Sequence, residues 1–188
     1  LVGALKAGGV AQMLRQGLHC PATSSAGRWF DAAAGAMGLH ARRQAHEAEA
    51  AIALEQAAQR ALARQSADAL APPAGQIDLT GRGPLDIRPL LLPLLALPPC
   101  SPEEAIDAAA AGFHLGLADA LAGWAARAAR QRAVATVVLG GGCLANQVLT
   151  QRLQQQLQAQ GLQVLRPLAV ACGDAGLALG QAWVAAQQ

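Results

Sequence analysis

Three consecutive glycines, Gly140, Gly141 and Gly142, end the β-branched run Val137-Val138-Leu139 and lead at once into Cys143-Leu144-Ala145-Asn146 and a helical pattern. A strand that stops at glycines lets the backbone approach a phosphate or ribose closely. The first turn of the helix that follows then offers unpaired N–H groups and the positive end of its dipole. Such turns also serve packing alone in many α/β proteins. A second one, Ala171-Cys172-Gly173-Asp174-Ala175-Gly176, sets one carboxylate between glycines and raises the weight of the first.

Individual side chains around these turns each have two readings. Asn146 can offer an amide to a nucleobase or a ribose hydroxyl, or it can cap its helix. Asp174 stands where a carboxylate caps a helix, and pointed into a cleft it would be a hard ligand for a cation beside phosphates. Asp31, among apolar neighbours one turn into a helix, reads on pattern alone as a solvent-facing charge. His114, after Phe113, reads as a satisfied groove histidine more readily than as a catalytic one. His46 and Glu47 are adjacent, and neighbours on a helix do not face each other. Cys143 and Cys172 adjoin both turns, but the sequence places no histidine beside them, so a thiol nucleophile is disfavoured and no catalytic residue is assigned.

The elements that must position these residues follow from the rest of the chain. Trp29, Phe30, Ala33, Ala34 and Met37 predict a helix over 27–39, entered through Thr23, Ser24 and Ser25. An Ala-rich stretch over 44–70 predicts one long helix ended by Pro72 and Pro73. Ile77-Asp78-Leu79 and Leu85-Asp86-Ile87 around Gly81 and Pro84 predict a β-hairpin, within a Pro-rich insertion over 72–100. Ser101-Pro102-Glu103-Glu104 predicts a capped start for a helix reaching Arg130. Strand 133–139, helix 144–160, strand 162–165 and helix 174–186 then give a β-α-β-α order, hence a parallel sheet with ligand sites at its carboxyl ends.

Composition narrows the function. The 188 residues suffice for one core, being 53% hydrophobic; a net charge of +2 and 3% aromatics argue against nucleic acid. The four cysteines form no C-x-x-C pair, which predicts reduced thiols and a cytoplasmic location. The run Leu90 to Leu97 is broken by Pro93 and is too short to span a membrane. The chain starts at Leu1 on what reads as mid-domain sequence, suggesting a piece of a longer protein.

Five segments carry a resemblance. Thr23-Ser24-Ser25-Ala26-Gly27-Arg28-Trp29-Phe30-Asp31, His46-Glu47-Ala48-Glu49-Ala50-Ala51 with Leu54-Glu55, Phe113-His114-Leu115-Gly116, the Gly140-Gly141-Gly142 turn with Asn146, and Gly173-Asp174-Ala175-Gly176-Leu177 come in that order. Together they resemble the C-terminal part of the HypF carbamoyltransferases of [NiFe]-hydrogenase maturation, across nearly the whole chain. The glycine turns are shared more widely, with actin-like ATPases and with the tRNA-modifying enzyme TsaD, which is the rival reading. The Ser-Ser-x-Gly-Arg-x-Phe-Asp and Glu-x-x-Ala-Ala segments are the features more specific to HypF. A non-catalytic nucleotide-binding or docking lobe is a third possibility.

The resemblance implies the second lobe of an actin-like ATPase (ASKHA) fold over residues 1–188, helix-rich, with a small parallel or mixed sheet. It implies ATP or carbamoyl-adenylate held by Gly140, Gly141, Gly142, Asn146, Gly27 and Asp31, and a divalent metal ion (iron, zinc or magnesium) held by Asp174. Carbamoyl phosphate and ATP would be the substrates, a HypE-like protein the acceptor of the carbamoyl group on its C-terminal cysteine, and upstream domains of the same enzyme the partners. The chain departs from the family at Gly140, commonly Ser, and at Gly173-Asp174-Ala175-Gly176, commonly Asn-Asp-Gly-Gly. The family's His-x-x-x-His metal pair is absent from the sequence. The chain is therefore expected to hold half of the ligand cleft and to be inactive by itself.

Overall fold

The computed structural model describes residues 3–39, 45–72, 77–79 and 84–187. Its helices are α1 (Ala4–Gln16), α2 (Ala26–Ala36), α3 (Glu49–Arg64), α4 (Ala67–Leu70), α5 (Leu92–Leu95), α6 (Glu103–Arg132), α7 (Gln147–Ala159) and α8 (Leu177–Ala185). Strands β1 (Thr136–Val138) and β2 (Gln163–Leu165) pair in parallel through α7, with Val137 opposite Val164. The predicted β-α-β-α order and small parallel sheet are thus observed.

The core is built around α6, against which α3, α4 and α7 pack, while α1 and α8 lie outside it. Alanines 50, 57, 58 and 61 of α3 and 110, 111 and 118 of α6 are buried, and side chains this small let two helices approach closely. On the opposite side Val148, Leu149, Leu153 and Leu157 of α7 close the core. By length and composition α6 could cross a membrane, but 61% of its most apolar window is buried by the domain, as in a core helix. It begins one residue later than a Ser101 cap would set. The Ser101 hydroxyl donates backwards to the Pro98 carbonyl (2.8 Å), and Pro102 is the capping residue, with no side-chain bond.

A glycine face on α6 explains why the predicted hairpin is not a hairpin. A Cβ at Gly116 would stand 2.7 Å from Leu90 Cδ2 and Pro72 Cγ, one at Gly123 2.5 Å from Leu79 Cδ1, and one at Gly112 3.3 Å from the Leu70 carbonyl oxygen. The described parts of the 70–90 segment therefore lie along this groove, with Ile77, Ile87 and Leu90 buried, and form no ladder with each other. Alternation of apolar and polar residues here reflects anchors into a helix groove. Pro84 and Pro89 lack the N–H a ladder needs, and 88–90 winds into a 3-10 turn. The turn predicted at 80–83 lies outside the described residues.

The predicted long helix over 44–70 is also two. Gln65 turns extended (φ −139°, ψ 152°) and Ser66 restarts the chain as α4, its hydroxyl accepting from the Ala69 N–H at 3.3 Å. Ser66 competes with helix continuation, as hydroxyl residues do. His46 and Glu47 lie in the turn before α3, while residues 40–44 are outside the described set.

Asp107, Asp119 and His114 of α6 are each answered by a neighbour. Asp107 is fully buried and receives Arg60 Nη2 (2.6 Å), Arg60 Nε (3.1 Å) and Arg64 Nη2 (2.6 Å). Burial pushes its carboxyl up, but the two guanidiniums outweigh burial and hold it below the usual carboxylate range. Asp119 accepts from Arg152 of α7 at 2.7 and 3.0 Å. His114 is fully buried, with Nδ1 2.8 Å from the Ala110 carbonyl and Nε2 2.9 Å from Asn146 Nδ2. An amide NH2 only donates, so Nε2 accepts and the proton sits on Nδ1, which donates to Ala110. Burial lowers the imidazole pKa from 6.5 to about 4 against a smaller opposing pull from that carbonyl.

Two outcomes are expected. Gly116→Val should lower stability by roughly 2 kcal/mol through overpacking against Pro72 and Leu90, read as a reduced urea midpoint; an unchanged midpoint would show the groove to be slack. The second concerns pH. Between 6.5 and about 4 the unfolded chain binds a proton at His114 that the folded chain does not, so stability falls with pH across that window and levels off below it. The total loss is about 3 kcal/mol, and His114→Gln should remove it from the pH dependence of urea unfolding.

Candidate functional site

The carboxyl ends of β1 and β2 bring both glycine turns together. The ladder continues past β1 through Leu139 N–H to the Leu165 carbonyl (2.8 Å), and the Gly141 N–H then donates to the Cys172 carbonyl (2.6 Å). A Cβ at Gly173 would stand 3.1 Å from Gly142 Cα, so glycine at 173 permits this contact of backbone on backbone. At Gly176 a Cβ would stand 2.5 Å from the Ala171 carbonyl oxygen. Both are explained by packing between and within the turns.

The first turn is different. Gly141 has φ 110°, where L side chains are strained, and no atom lies within 4 Å of a Cβ placed on Gly140, Gly141 or Gly142. Internal packing does not require these three positions to be bare. Beside them opens a cleft of about 820 Å3, floored by Gly141, Cys172 and Gly173, with Asp174 at its rim and Leu177, Gln181 and Val184 of α8 as its wall. Gly141 alone of the three lines this cleft, and a Cβ on it would meet only open space. The cleft suits a phosphate or ribose.

The amides available to such a ligand are not those the sequence suggests. After Gly142, residues 142–145 wind as a 3-10 turn before α7 begins at Gln147. The N-terminus of α7 is already occupied: Asn146 Oδ1 accepts from the Leu149 N–H (2.9 Å), and Glu55 Oε1 of α3 accepts from the Gln147 N–H (2.7 Å). The helix start presented near the cleft is instead that of α8, preceded by the 3-10 turn Asp174–Gly176, where Asp174 is exposed and makes no side-chain cap.

The site residues expected from the sequence fall into three groups. Gly141 and Asp174 line the cleft, and Gly140 and Gly142 flank Gly141 in the chain without lining it. Gly27 and Asp31 of α2 meet the other side of the glycine turn through Cys143: a Cβ on Gly27 would stand 3.7 Å from Cys143 Sγ. Asp31 pairs with Arg28 at 3.0 Å and is part of what raises the Cys143 thiol pKa, after burial and against Arg28. That thiol is held protonated, a poor state for a nucleophile. Asn146 is turned beneath the turn, its oxygen capping α7 and its nitrogen on His114.

Sequence reasoning passed over Glu55 and the α8 wall, and it saw His114 without its partner. Glu55 belongs to a segment quoted only for its resemblance, and nothing in its spacing signals a bond to residue 147. For a divalent ion the donors are few: no group of three or more His, Cys, Asp or Glu side chains able to hold a metal occurs among the described residues. Asp174 fits as one ligand, and the remainder of a shell would have to come from elsewhere.

Comparison with known proteins follows this geometry. The family described as "Carbamoyltransferase, Kae1-like Domain, second subdomain" matches residues 4–181. A carbamoyltransferase HypF homolog of Cupriavidus necator is 53% identical over 190 residues, covering 100% of this chain and 47% of that protein. The carbamoyltransferase HypF of Rhizobium leguminosarum bv. viciae is 40% identical over 172 residues, covering 90% of this chain and 20% of that protein. The chain thus spans about half the length of the first relative and a fifth of the second. The crystal structure of T. kodakarensis HypF superposes with a TM-score of 0.72 at 26% identity, over 97% of this chain and 22% of that one. A full-length HypF crystallised in a phosphate- and nucleotide-bound form gives 0.73 over 98% of this chain and 23% of that one, and at 23% identity it speaks to the fold. This chain belongs to the HypF carbamoyltransferase family, as the second subdomain of its Kae1-like domain.

Proposed function

We propose that this chain supplies one half of a cleft for ATP or carbamoyl-adenylate in a cytoplasmic carbamoyltransferase. The carbamoyl group, derived from carbamoyl phosphate, would pass from there to the C-terminal cysteine of a HypE-like acceptor, for the cyanide ligands of a [NiFe] centre. One observation supports the nucleotide reading most. Two glycine turns meet at one open cleft, and Gly141, which lines it, is bare with no neighbour within 4 Å of a Cβ placed there. The crystallisation of a HypF of this fold with nucleotide and phosphate is consistent with it.

Each part of the site then has a task. The Gly140–Gly142 backbone approaches the ligand where a side chain would collide with it. The α8 start, with its dipole, favours anionic groups beside Gly173. Leu177 and Val184 give the cleft an apolar wall. A divalent ion bound with Asp174 as one ligand would polarise the carbamoyl oxygen and offset charge on the departing phosphate. The other donors and the adenylate-forming machinery are assigned to upstream domains.

Four outcomes test this. Gly142→Val leaves backbone strain aside, since φ-positive geometry is confined to Gly141, and its side chain enters open space. It should keep its stability within about 0.5 kcal/mol and weaken ATP binding in calorimetry at least several-fold; unchanged affinity in the folded variant would reduce the turn to a packing device. Gly141→Val should lose binding too, but with a loss of stability from its φ of 110°. The isolated chain should show no carbamoyl-phosphate-dependent ATP turnover, and measurable turnover would sink the half-site reading. In the full-length enzyme Asp174→Asn should leave folding intact while lowering bound metal and abolishing transfer. Wild-type metal content in that variant would remove Asp174 from the metal shell.

A further inference from the structure

Several features remain unused by this reading. The exposed apolar faces of α1 and α8 have nothing in the structure to name their cover. Arg127 has a buried Nη1 with no hydrogen-bond partner among the described residues, and nothing beside it points to a ligand. The small pocket behind the glycine turn, about 160 Å3 and lined by Thr150, Arg166 and Cys172, shows no second sign of a ligand. The buried imidazole of His114 is stronger, because its hydrogen bonds lead directly to the turn.

We propose that His114 is a positioning residue for the glycine-rich turn, acting through Asn146. This rests on the nucleotide reading of the cleft. Asn146 is the knot at the end of that turn. Its backbone N–H donates to the Cys143 carbonyl (3.2 Å), its carbonyl accepts from the Thr150 N–H (3.0 Å), and its side-chain oxygen caps α7. The remaining freedom is rotation of its amide, and His114 Nε2 removes it by accepting from Nδ2 at 2.9 Å. His114 cannot itself turn away, since its Nδ1 proton is committed to the Ala110 carbonyl and its ring is fully buried.

The same ring also supports the other side of the turn. Phe30 of α2 lies 5.2 Å from the His114 ring centroid and 5.6 Å from that of Phe113, edge to face with the latter. Residue Asp31 follows Phe30, and Gly27 one turn earlier stands where a Cβ would lie 3.7 Å from Cys143 Sγ. One imidazole therefore backs both segments that converge on residues 140–143. A neutral acceptor is what the site needs there: a protonated imidazole would offer Asn146 a second donor and break the pair.

A merely structural histidine and a positioning one are separated by two amides of different reach. Gln places its carbonyl near the Nε2 position and can accept from Asn146, whereas Asn reaches only the Nδ1 position and cannot. In His114→Gln, ATP affinity measured by calorimetry should stay within about twofold of the parent. In His114→Asn it should fall roughly tenfold, the equivalent of one hydrogen bond, beyond any difference in urea stability between the two variants. Equal affinities, or losses that simply track stability, would overturn the proposal. Should His114→Asn not fold, Asn146→Asp keeps the cap oxygen, loses the donor to His114, and is expected to show the same loss. If the parent chain binds no ATP, the cleft reading fails separately. Nitrogen-15 relaxation of the Gly140 to Cys143 amides then decides the point: added mobility in His114→Asn alone supports positioning, and identical mobility in both variants rejects it.

Discussion

A thirty-residue helix buried on most of its circumference must satisfy its own polar side chains, and the rest of this fold is arranged to let α6 do so. Leaving Asp107 without partners in the core would cost several kcal/mol, and Arg60 and Arg64 from α3 prevent that. Asp119 draws in Arg152 and so fixes the axial position of α7. His114 draws in Asn146 and fixes its rotation. The alanines and glycines between these polar groups let α3 and the 70–90 segment approach closely enough for the pairs to form. Apolar contact provides proximity, and the polar pairs choose one register among those that small side chains would tolerate.

The site inherits its geometry from this arrangement. β1 leaves the end of α6 through Ala133, whose left-handed φ of 51° turns the chain back, and delivers the first glycine turn above the α6–α7 seam. β2 delivers the second beside it by the parallel crossover. The Gly141 to Cys172 bond then joins them into one floor. Both turns are glycine-rich, yet for different reasons: Gly173 and Gly176 serve contacts between backbones, while Gly140 and Gly142 stand in open space. A single sequence signal thus covers two physical roles, and only coordinates separate them.

Much of this was legible beforehand. The β-α-β-α order, the parallel sheet and the meeting of the two turns follow from period and punctuation, since Val137-Val138-Leu139 and the glycines leave few alternatives. The errors share a cause. Ile77, Leu79, Leu85 and Ile87 alternate as a strand would, but the segment is laid against α6, where Leu79 answers Gly123 and Pro72 and Leu90 answer Gly116, residues far away in sequence. Ser101 and Asp174 look like caps and are not, because the chain direction around each is set by packing elsewhere. Asn146, offered both as ligand and as cap, proves to be a cap whose amide nitrogen is held by a residue thirty-two positions earlier. Local chemistry names the candidates, and nonlocal contacts decide among them.

The wall of the cleft has a thermodynamic character of its own. All nine residues of α8 are exposed, Trp183 at 68%, and the helix continues from a stem made of the Asp174–Gly176 turn. It therefore adds almost nothing to the cooperative core, and its local opening free energy lies near the bottom of the range found within one protein, while α6 lies near the top. A ligand in this cleft would lie against a wall that few core contacts hold in place, so part of its intrinsic affinity would be spent on restricting that wall. Anything that packs against the outer face of α8 would restrict it in advance. Occupancy of the cleft and burial of Trp183 are then linked quantities, although they lie on opposite faces of one helix.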